Sequence, residues 1–432
     1  MKRFLLLMGF VATIATVTAQ ENDYKQEVAD SVKDVNLTKS GRLTVGGYGE
    51  AVFNRAFYSD NYKRYSYPES YADDKGYGQV DIPHFVIFLS YDFGKGWSFT
   101  SEIEFEHGGV GSAVEIEAEE TGEYESEIEK GGEVVLEQFY IQKHFSDLFN
   151  LRIGHMVVPV GYANSYHLPT QFFTNDRPES GSSIIPNTWH ETGIALTGRG
   201  GDWHYEIQLI AGLDADRFSD AEWVGGSGVS PYEFKMATNW AGAMRVDNYS
   251  IKGLRVGVSG YIGKSANNTL TPSAYKDIDG WVSIGSADFE YNDHNVILRG
   301  DFLYGNLTDN KEISVANKSL RDDAPSAHSD VAKTAISCGV EGGYNIFGLM
   351  PSLKEHKLYL FGRYEYYDSM YDAGAMLDLT YYERNKATVG INYFPIPEVV
   401  VKAEYSSRTF PGGNYNTENT FSLGIAFSGF FK

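Results

Sequence analysis

Short stretches in which apolar and polar residues alternate run through this chain from Leu43 to Phe431, and this repeat constrains the fold more than any other feature. Alternation with a period of two residues is typical of β-strands with one apolar and one polar face. About sixteen such stretches occur, and the connections between them alternate between short and long. The sequence therefore predicts an all-β protein: a single antiparallel transmembrane β-barrel with short periplasmic turns and long outer loops.

The predicted strands can be located from this pattern to within a few residues. In chain order they cover 43–54, 80–93, 97–108, 134–146, 149–160, 191–199, 203–214, 239–248, 254–263, 279–291, 295–307, 333–346, 357–369, 383–395, 398–410 and 417–431. Short connections such as PIPE at 395–398 are rich in turn-forming residues, which tolerate the backbone angles of tight turns.

Closure of the barrel follows from the membrane environment. Inside lipid, an unpaired sheet edge would leave N–H and C=O groups without partners at a cost of several kcal/mol each, so the last strand is predicted to pair with the first. The 31 Tyr and 26 Phe residues fit the aromatic belts that barrels place at membrane interfaces. No segment reaches the roughly 18 apolar residues that a membrane helix requires.

The N-terminal residues have the pattern of a secretory signal peptide. The basic residues Lys2 and Arg3 precede an apolar run at 4–14, and small residues lead to Ala19. No linker-like boundary divides the rest of the chain. The predicted organisation is a signal peptide at 1–19, a periplasmic N-terminal segment at 20–42 and the outer-membrane barrel at 43–432.

Charge and motif content narrow the possible functions. The net charge of −22 argues against nucleic acid as a partner, because nucleic acid requires a basic surface. No Ser-His-Asp, HExxH or GxSxG arrangement and no zinc-type ligand spacing occurs, so neither an enzyme, nor a cofactor, nor a metal centre is predicted. The expected partners are outer-membrane lipid and lipopolysaccharide, and small hydrophilic or anionic solutes.

Strand parity assigns many charged residues to the barrel interior. In WSFTSEIEFE, for example, Phe99 and Ile103 face outward while Glu102 and Glu104 face inward. Seven basic residues are predicted to line the channel, six on strands and Arg177 on a loop. They are Arg152, Arg177, Arg245, Arg255, Arg299, Arg363 and Lys402. The predicted channel-lining acidic residues are Glu102, Glu104, Glu206, Asp247, Asp301, Glu365 and Glu404.

A polar interior in a barrel of about sixteen strands predicts a water-filled passage. The interior charges either pair across the wall and keep the lumen wet, or the basic ones form a path for anions. Because the interior acids nearly match the bases in number, we expect weak anion selectivity or none.

Residues 151–198 are the most distinctive run of the sequence. In order, they contain Gly154, Pro159, Val160 and Gly161, then Arg177 and Pro186, then Gly193 and Gly198. This order resembles the phosphate-selective porin O and P family of Gram-negative outer membranes, and the preceding EIEFE and LEQFYIQ segments also fit that layout. The resemblance implies a sixteen-stranded, usually homotrimeric porin whose third outer loop, 162–190 here, folds inward to narrow the channel.

The composition of that loop bears on its ligand and its position. Family members that select phosphate cluster arginines and lysines at the constriction, whereas this loop offers only Arg177, with His167 and His190, beside Asp176 and Glu179. The resemblance therefore implies the pore architecture and leaves the permeant solute open. The three prolines and the aromatic residues of the loop predict packing against the barrel wall; the alternative is a surface loop packed on its neighbours or on another subunit.

Two further features allow alternatives. The second outer loop carries nine glutamates between Glu115 and Glu133, which form either a solvated acidic loop or strand extension, or a site for Ca²⁺ or Mg²⁺. Tyr140 and Tyr367 have inward parity, where tyrosines could stack sugars.

The predicted function is an outer-membrane porin for passive diffusion of small hydrophilic solutes. The alternatives are a loop-plugged barrel that acts as a surface receptor or interaction protein, and a sugar-stacking specific channel.

Overall fold

The computed structural model describes most of the chain from Arg42 to Phe431. Within that range it leaves out residues 66, 110–111, 119–123, 131, 228–235, 270–271, 321–328, 354, 375, 377–381 and 412–414. The predicted signal peptide at 1–19 and all but the last residue of the segment at 20–42 lie outside the described residues.

The described residues form nineteen strands, and sixteen of them build one closed antiparallel barrel. In chain order the strands are β1 (Leu43–Ala56), β2 (Gly78–Asp81), β3 (His84–Gly94), β4 (Trp97–Glu106), β5 (Ser112–Ala118), β6 (Tyr124–Lys130), β7 (Glu133–Ser146), β8 (Phe149–Val157), β9 (His190–Gly200), β10 (Trp203–Ala211), β11 (Trp240–Ile251), β12 (Leu254–Lys264), β13 (Trp281–Asp293), β14 (Val296–Leu307), β15 (Thr334–Asn345), β16 (Lys357–Asp372), β17 (Glu383–Ile396), β18 (Val399–Thr409) and β19 (Thr417–Phe431). Strand β2 continues the edge of β3 along β1, and β5 and β6 form a separate hairpin. The all-β single barrel predicted from the sequence is confirmed.

Closure is made by β1, which pairs with β19 on one side and with β3 on the other. The β1–β19 register runs from Val45 opposite Phe431 to Ala56 opposite Thr420. Every wall strand therefore has a hydrogen-bonded neighbour on both sides, as the hydrocarbon interior of a membrane requires.

Each predicted strand overlaps one barrel strand, and the differences lie at strand ends. The strand predicted at 80–93 is divided at Ile82 and Pro83, since proline has no N–H for the ladder. The strand predicted at 149–160 ends at Val157, where the chain leaves the wall. The predicted acidic loop contains the β5–β6 hairpin, and the side chains that could bind Ca²⁺ or Mg²⁺ lie outside the described residues.

Helical segments are short and lie in the connections. The α-helices are α1 (Tyr162–Ser165), α2 (Glu179–Ser182) and α3 (Asn310–Asn317). The 3-10 helices are Tyr62–Tyr65, Pro68–Tyr71, Ala215–Arg217, Gly225–Ser227, Ala266–Asn268, Ile346–Leu349 and Pro351–Leu353. In the part of the chain that the structure describes, no helix combines the length and the apolar character needed to cross a membrane.

The outer surface of the barrel is apolar, and its inner surface is polar. In β19, Phe421 and Leu423 are 36% and 43% exposed, whereas Ser422 between them is 2% exposed. The same alternation recurs in the other long strands. A large exposed apolar belt of this kind is suited to lipid rather than water.

The long connections pack into a hydrophobic core at one end of the barrel. Phe218, Trp223, Tyr275 and Ile313 come from three of these connections, and none has measurable exposure. The core continues into inward-facing strand residues such as Leu303. The outer loops that carry these residues are therefore folded together against the barrel mouth.

Candidate functional site

The connection between β8 and β9, residues 158–189, lies inside the barrel and forms the centre of the candidate site. Its side chains Phe172, Phe173, Ile184 and Trp189 are each at most 4% exposed. Apolar side chains from this segment thus fill space that would otherwise hold water. We refer to residues 158–189 as the inward loop.

The backbone of the inward loop is hydrogen bonded to the far wall of the barrel. The amide of Asn175 donates to the Glu404 carboxylate at 2.8 Å, and the amide of Ser180 donates to Glu365 at 2.9 Å. Both acceptors are inward-facing residues, on β18 and β16. The loop therefore crosses the lumen from its anchor beside β8 and β9.

Lys402 holds the loop through main-chain carbonyls. Its Nζ donates to the carbonyl of Thr174 at 2.7 Å and to that of Phe172 at 3.1 Å, and it lies 4.4 Å from the centre of the Phe172 ring. This side chain is 2% exposed. A cation that the sequence assigns to the channel lining is thus bonded to the loop.

Two arginines and two aspartates form a compact group on β11, β12 and β13. Arg245 donates to Asp247 at 2.8 Å and to Asp288 at 2.9 Å, and Arg255 donates to the same carboxylates at 2.8 and 2.6 Å. Tyr166 of the inward loop packs against both guanidinium groups, at 5.4 and 4.5 Å from its ring centre. The two positive and two negative charges compensate each other.

A second network is centred on Arg363. Its nitrogens lie 3.2 Å from Asp301, 3.5 Å from Glu341 and 3.2 Å from Glu365. Glu341 also accepts a hydrogen bond from Arg299 at 2.7 Å. Both arginines are therefore neutralised within the wall.

Glu179, at the start of α2, ties the inward loop to three strands. Its carboxylate accepts a hydrogen bond from Lys386 at 2.7 Å and another from the Tyr367 hydroxyl, and it lies 3.4 Å from Arg408. Burial by itself would raise the pKa of Glu179, but the positive charges of Lys386 and Arg408 outweigh that effect and hold the pKa well below its usual range. The carboxylate is therefore ionised at neutral pH.

All fourteen residues predicted to line the channel have side chains in the interior, although most are buried in pairs rather than free. Arg152 and Glu206 are the least buried, with 14% and 16% of their side chains exposed, and they lie 3.7 Å apart. Arg177 is 8% exposed and donates to Asn187 within the inward loop at 3.1 Å.

Sequence reasoning missed several interior acids. Glu341 and Asp288 have inward parity, so the alternation rule would have found them. Glu137 has no such signal, because a β-bulge lies at its position: Glu102 pairs with Gln138 and the next residue of β4 pairs with Leu136. The bulge turns Glu137 fully inward, with no exposed surface.

A polar cavity of about 130 Å³ remains between the inward loop and the wall. Charged residues that line it include Asp176, Glu179, Lys386, Arg408 and Glu418. A space of this size and polarity can hold several water molecules. The interior thus combines a loop packed across the lumen with a polar pocket beside it.

No protein-family model matches the chain. The chain is similar to an uncharacterized protein of Aquifex aeolicus (strain VF5), with 27% identity over 386 residues that make up 84% of this chain and 75% of that protein.

Solved outer-membrane barrels share the fold. An anion-selective porin from Comamonas acidovorans has a TM-score of 0.52 and 10% identity, and the match covers 90% of this chain and 99% of that one. The channel DcaP of Acinetobacter baumannii has a TM-score of 0.52 and 13% identity, with 91% and 99% covered. Salmonella typhi OmpF, solved with daunomycin, has a TM-score of 0.52 and 12% identity, with 90% and 98% covered.

Together, the closed wall, the apolar belt and the polar interior define a transmembrane β-barrel with the porin fold. The outer-membrane localisation predicted from the sequence is supported by this fold and by the lipid-suited exterior.

Proposed function

We propose that this protein is an outer-membrane porin that admits small hydrophilic solutes by passive diffusion. The observation that carries the proposal is a closed barrel, apolar outside, whose interior holds a polar cavity beside the inward loop. Solutes would pass between that loop and the wall formed by β1 and β17–β19, whose side chains line the cavity together with Asp176 and Glu179. The inward loop would set the size limit.

Weak anion selectivity or none is the second part of the proposal. The fourteen interior residues named from the sequence are its candidate channel-lining groups, and the pairing of Arg245, Arg255 and Arg363 with carboxylates supports it. A paired guanidinium offers a passing anion less attraction than a free one. We therefore propose the architecture of the phosphate-selective porin O and P family, including a homotrimer in lipid and lipopolysaccharide, without phosphate selection.

Planar-bilayer recording tests the proposal. The purified protein is expected to give discrete conductance steps, and a salt gradient is expected to give a reversal potential close to zero or slightly on the anion side. Absence of steps from folded protein would contradict the porin proposal. A strongly cation-selective potential would contradict the selectivity proposal alone.

A second candidate function, a surface receptor or interaction protein plugged by its loops, is favoured by the hydrophobic core of the outer loops. Trp223 in that core donates a hydrogen bond to the carbonyl of Ala332 at 3.0 Å, and the Tyr275 hydroxyl donates one to Asn317 at 2.7 Å. Hydrogen bonds therefore join these loops to each other. Deleting the second and fourth outer loops, which contain the β5–β6 hairpin and Trp223, and finding lost cell or envelope binding with unchanged solute uptake would support this candidate. Unchanged binding after that deletion would count against it.

A further inference from the structure

Four glutamates cluster inside the barrel between β1, β4 and β7. Glu50, Glu102, Glu104 and Glu137 are 7%, 9%, 2% and 0% exposed. The guanidinium of Arg177 faces this group from the inward loop, and its Nε and Nη2 atoms have no hydrogen-bond partner among the described residues. Lys402 also faces Glu50, and His84 lies 2.5 Å from Glu104 and 3.9 Å from Glu50. Buried carboxylates are costly unless cations compensate them, and the cations Arg177 and Lys402 are still fewer than the four carboxylates.

Three side chains of this region converge from different parts of the chain. Glu102 comes from β4, Glu137 from the bulge of β7 and His167 from the inward loop, and their potential ligand atoms all lie within 4.8 Å of one another. Ligand atoms that each lie about 2.1 Å from a tetrahedral Zn²⁺ ion are about 3.4 Å from one another. Small side-chain movements would therefore bring these three groups within bonding distance of one ion.

Neighbouring groups fix the orientation of each of the three. Gln138 donates to Oε2 of Glu102, and the Tyr48 hydroxyl donates to Oε2 of Glu137 at 3.1 Å. Nδ1 of His167 lies 3.0 Å from the carbonyl oxygen of Asn164, to which it can only donate. Supporting contacts of this kind are typical of metal ligands.

The same contacts leave ligand atoms available. Since Nδ1 of His167 carries the proton, Nε2 of the neutral imidazole presents a lone pair. Oε1 of Glu137 accepts no hydrogen bond from an N–H or hydroxyl donor of the described residues, although the side chain is completely buried, and the group beside it is the carboxyl of Glu104. A buried acceptor without a donor is unfavourable, and a cation would satisfy it.

We propose that Glu102, Glu137 and His167 bind one divalent transition-metal ion of the Zn²⁺ class, and that this ion fastens the inward loop to the barrel wall. The imidazole ligand favours Zn²⁺ over Ca²⁺ and Mg²⁺, which prefer all-oxygen sites. The ion supplies two positive charges to the glutamate cluster. The site is independent of whether the barrel conducts solutes.

Metal binding by the detergent-purified protein tests this proposal. After chelator treatment, Zn²⁺ alone is titrated in competition with a chromophoric chelator, and one ion per chain is expected to bind. Glu137→Gln and His167→Gln are each expected to weaken binding by about tenfold or more, since each removes one ligand and even the loss of a group that supports a ligand costs about 10- to 100-fold in affinity. Glu206→Gln, an interior carboxylate on β10, is the matched control and keeps wild-type affinity. Bound Co²⁺ should give a visible absorption band that both variants lose.

Three outcomes would overturn the assignment. The first is wild-type protein that binds no Zn²⁺, a result that does not depend on the folding of any variant. The second is undiminished Zn²⁺ binding by both variants, which would place the ion elsewhere, for example on the acidic β5–β6 hairpin. The third is binding of Ca²⁺ or Mg²⁺ in preference to Zn²⁺. Slower gel migration after boiling verifies that each variant is a folded barrel.

Discussion

At the scale of single residues, the interior is governed by charge compensation in a buried setting. Arg363 has 1% of its side chain exposed and is shared by Asp301, Glu341 and Glu365. Removing one partner of a buried ion pair leaves the other charge uncompensated, which costs more than the pair itself contributes. The stability of the barrel interior therefore depends on buried charged residues that each keep their partners.

Arg363→Met is therefore expected to lower the free energy of unfolding by about 3–5 kcal/mol, because three carboxylates lose their shared cation. Denaturant unfolding in lipid vesicles measures the change. Lys333→Met is the control: Lys333 and Asp372 lie 3.8 Å apart with side chains 53% and 51% exposed, so we expect an effect of about 1 kcal/mol or less. Equal effects of the two substitutions would contradict the assigned role of Arg363.

Glu179 gives a second prediction at this scale. Glu179→Gln removes the charge that holds Lys386 and Arg408, and we expect it to lower the free energy of unfolding by about 1–3 kcal/mol. If the porin proposal holds, current noise in single-channel records should also rise as the loop loosens. Glu312→Gln, an exposed glutamate on α3, is the control and should change neither quantity.

The pH dependence of that difference can be assigned a sign. Because the folded-state pKa of Glu179 is depressed, its contribution to stability is fully present above the unfolded-state value of about 4.3 and declines as the pH falls below it. The stability difference between wild type and Glu179→Gln should be constant from about pH 8 to pH 5.5 and shrink below about pH 4. A difference that already vanishes at pH 6 would show that Lys386 and Arg408 do not hold the carboxylate ionised.

At the scale of elements, the inward loop depends on how β8 ends. Gly161 has φ 83° and ψ 155°, a backbone region that is almost restricted to glycine, and α1 begins directly after it. The turn directs the chain from the wall into the lumen. A side chain added here would also meet Ile185 of the same loop, at 3.2 Å.

Gly161→Ala is expected to lower the free energy of unfolding by about 1–3 kcal/mol, since alanine cannot adopt this conformation without strain. Gly285→Ala is the matched control, because no atom lies within 4 Å of an added Cβ on that strand residue. Vesicle unfolding of both variants measures the contrast. If Gly161→Ala lowered the free energy of unfolding no more than Gly285→Ala does, the loop would not need this turn.

For the whole molecule, stability in the membrane depends on the apolar outer belt and on closure of the barrel. Ile425 faces outward in the middle of β19 with 51% exposure, and the strand is paired on both sides. Ile425→Arg is expected to destabilise the barrel in lipid by about 2–4 kcal/mol, because a charge then faces the hydrocarbon. Thr417→Arg, at the start of the same strand, should cost about 1 kcal/mol or less. Equal costs at the two positions would contradict the assigned membrane position.

Local alternation of apolar and polar residues was enough to locate the sixteen barrel strands, their inward and outward faces and the interior position of the predicted charged residues on those strands, because a period of two is a local property of each strand. Which of these charges pair with one another depends on how the strands and the inward loop pack in three dimensions. Arg363 and Glu341 lie on neighbouring strands, and Ser180 of the inward loop reaches Glu365 across the lumen. The bulge at Glu137 likewise follows from pairing between β4 and β7. Contacts between distant segments depend on register and loop path, and neither is encoded in local alternation.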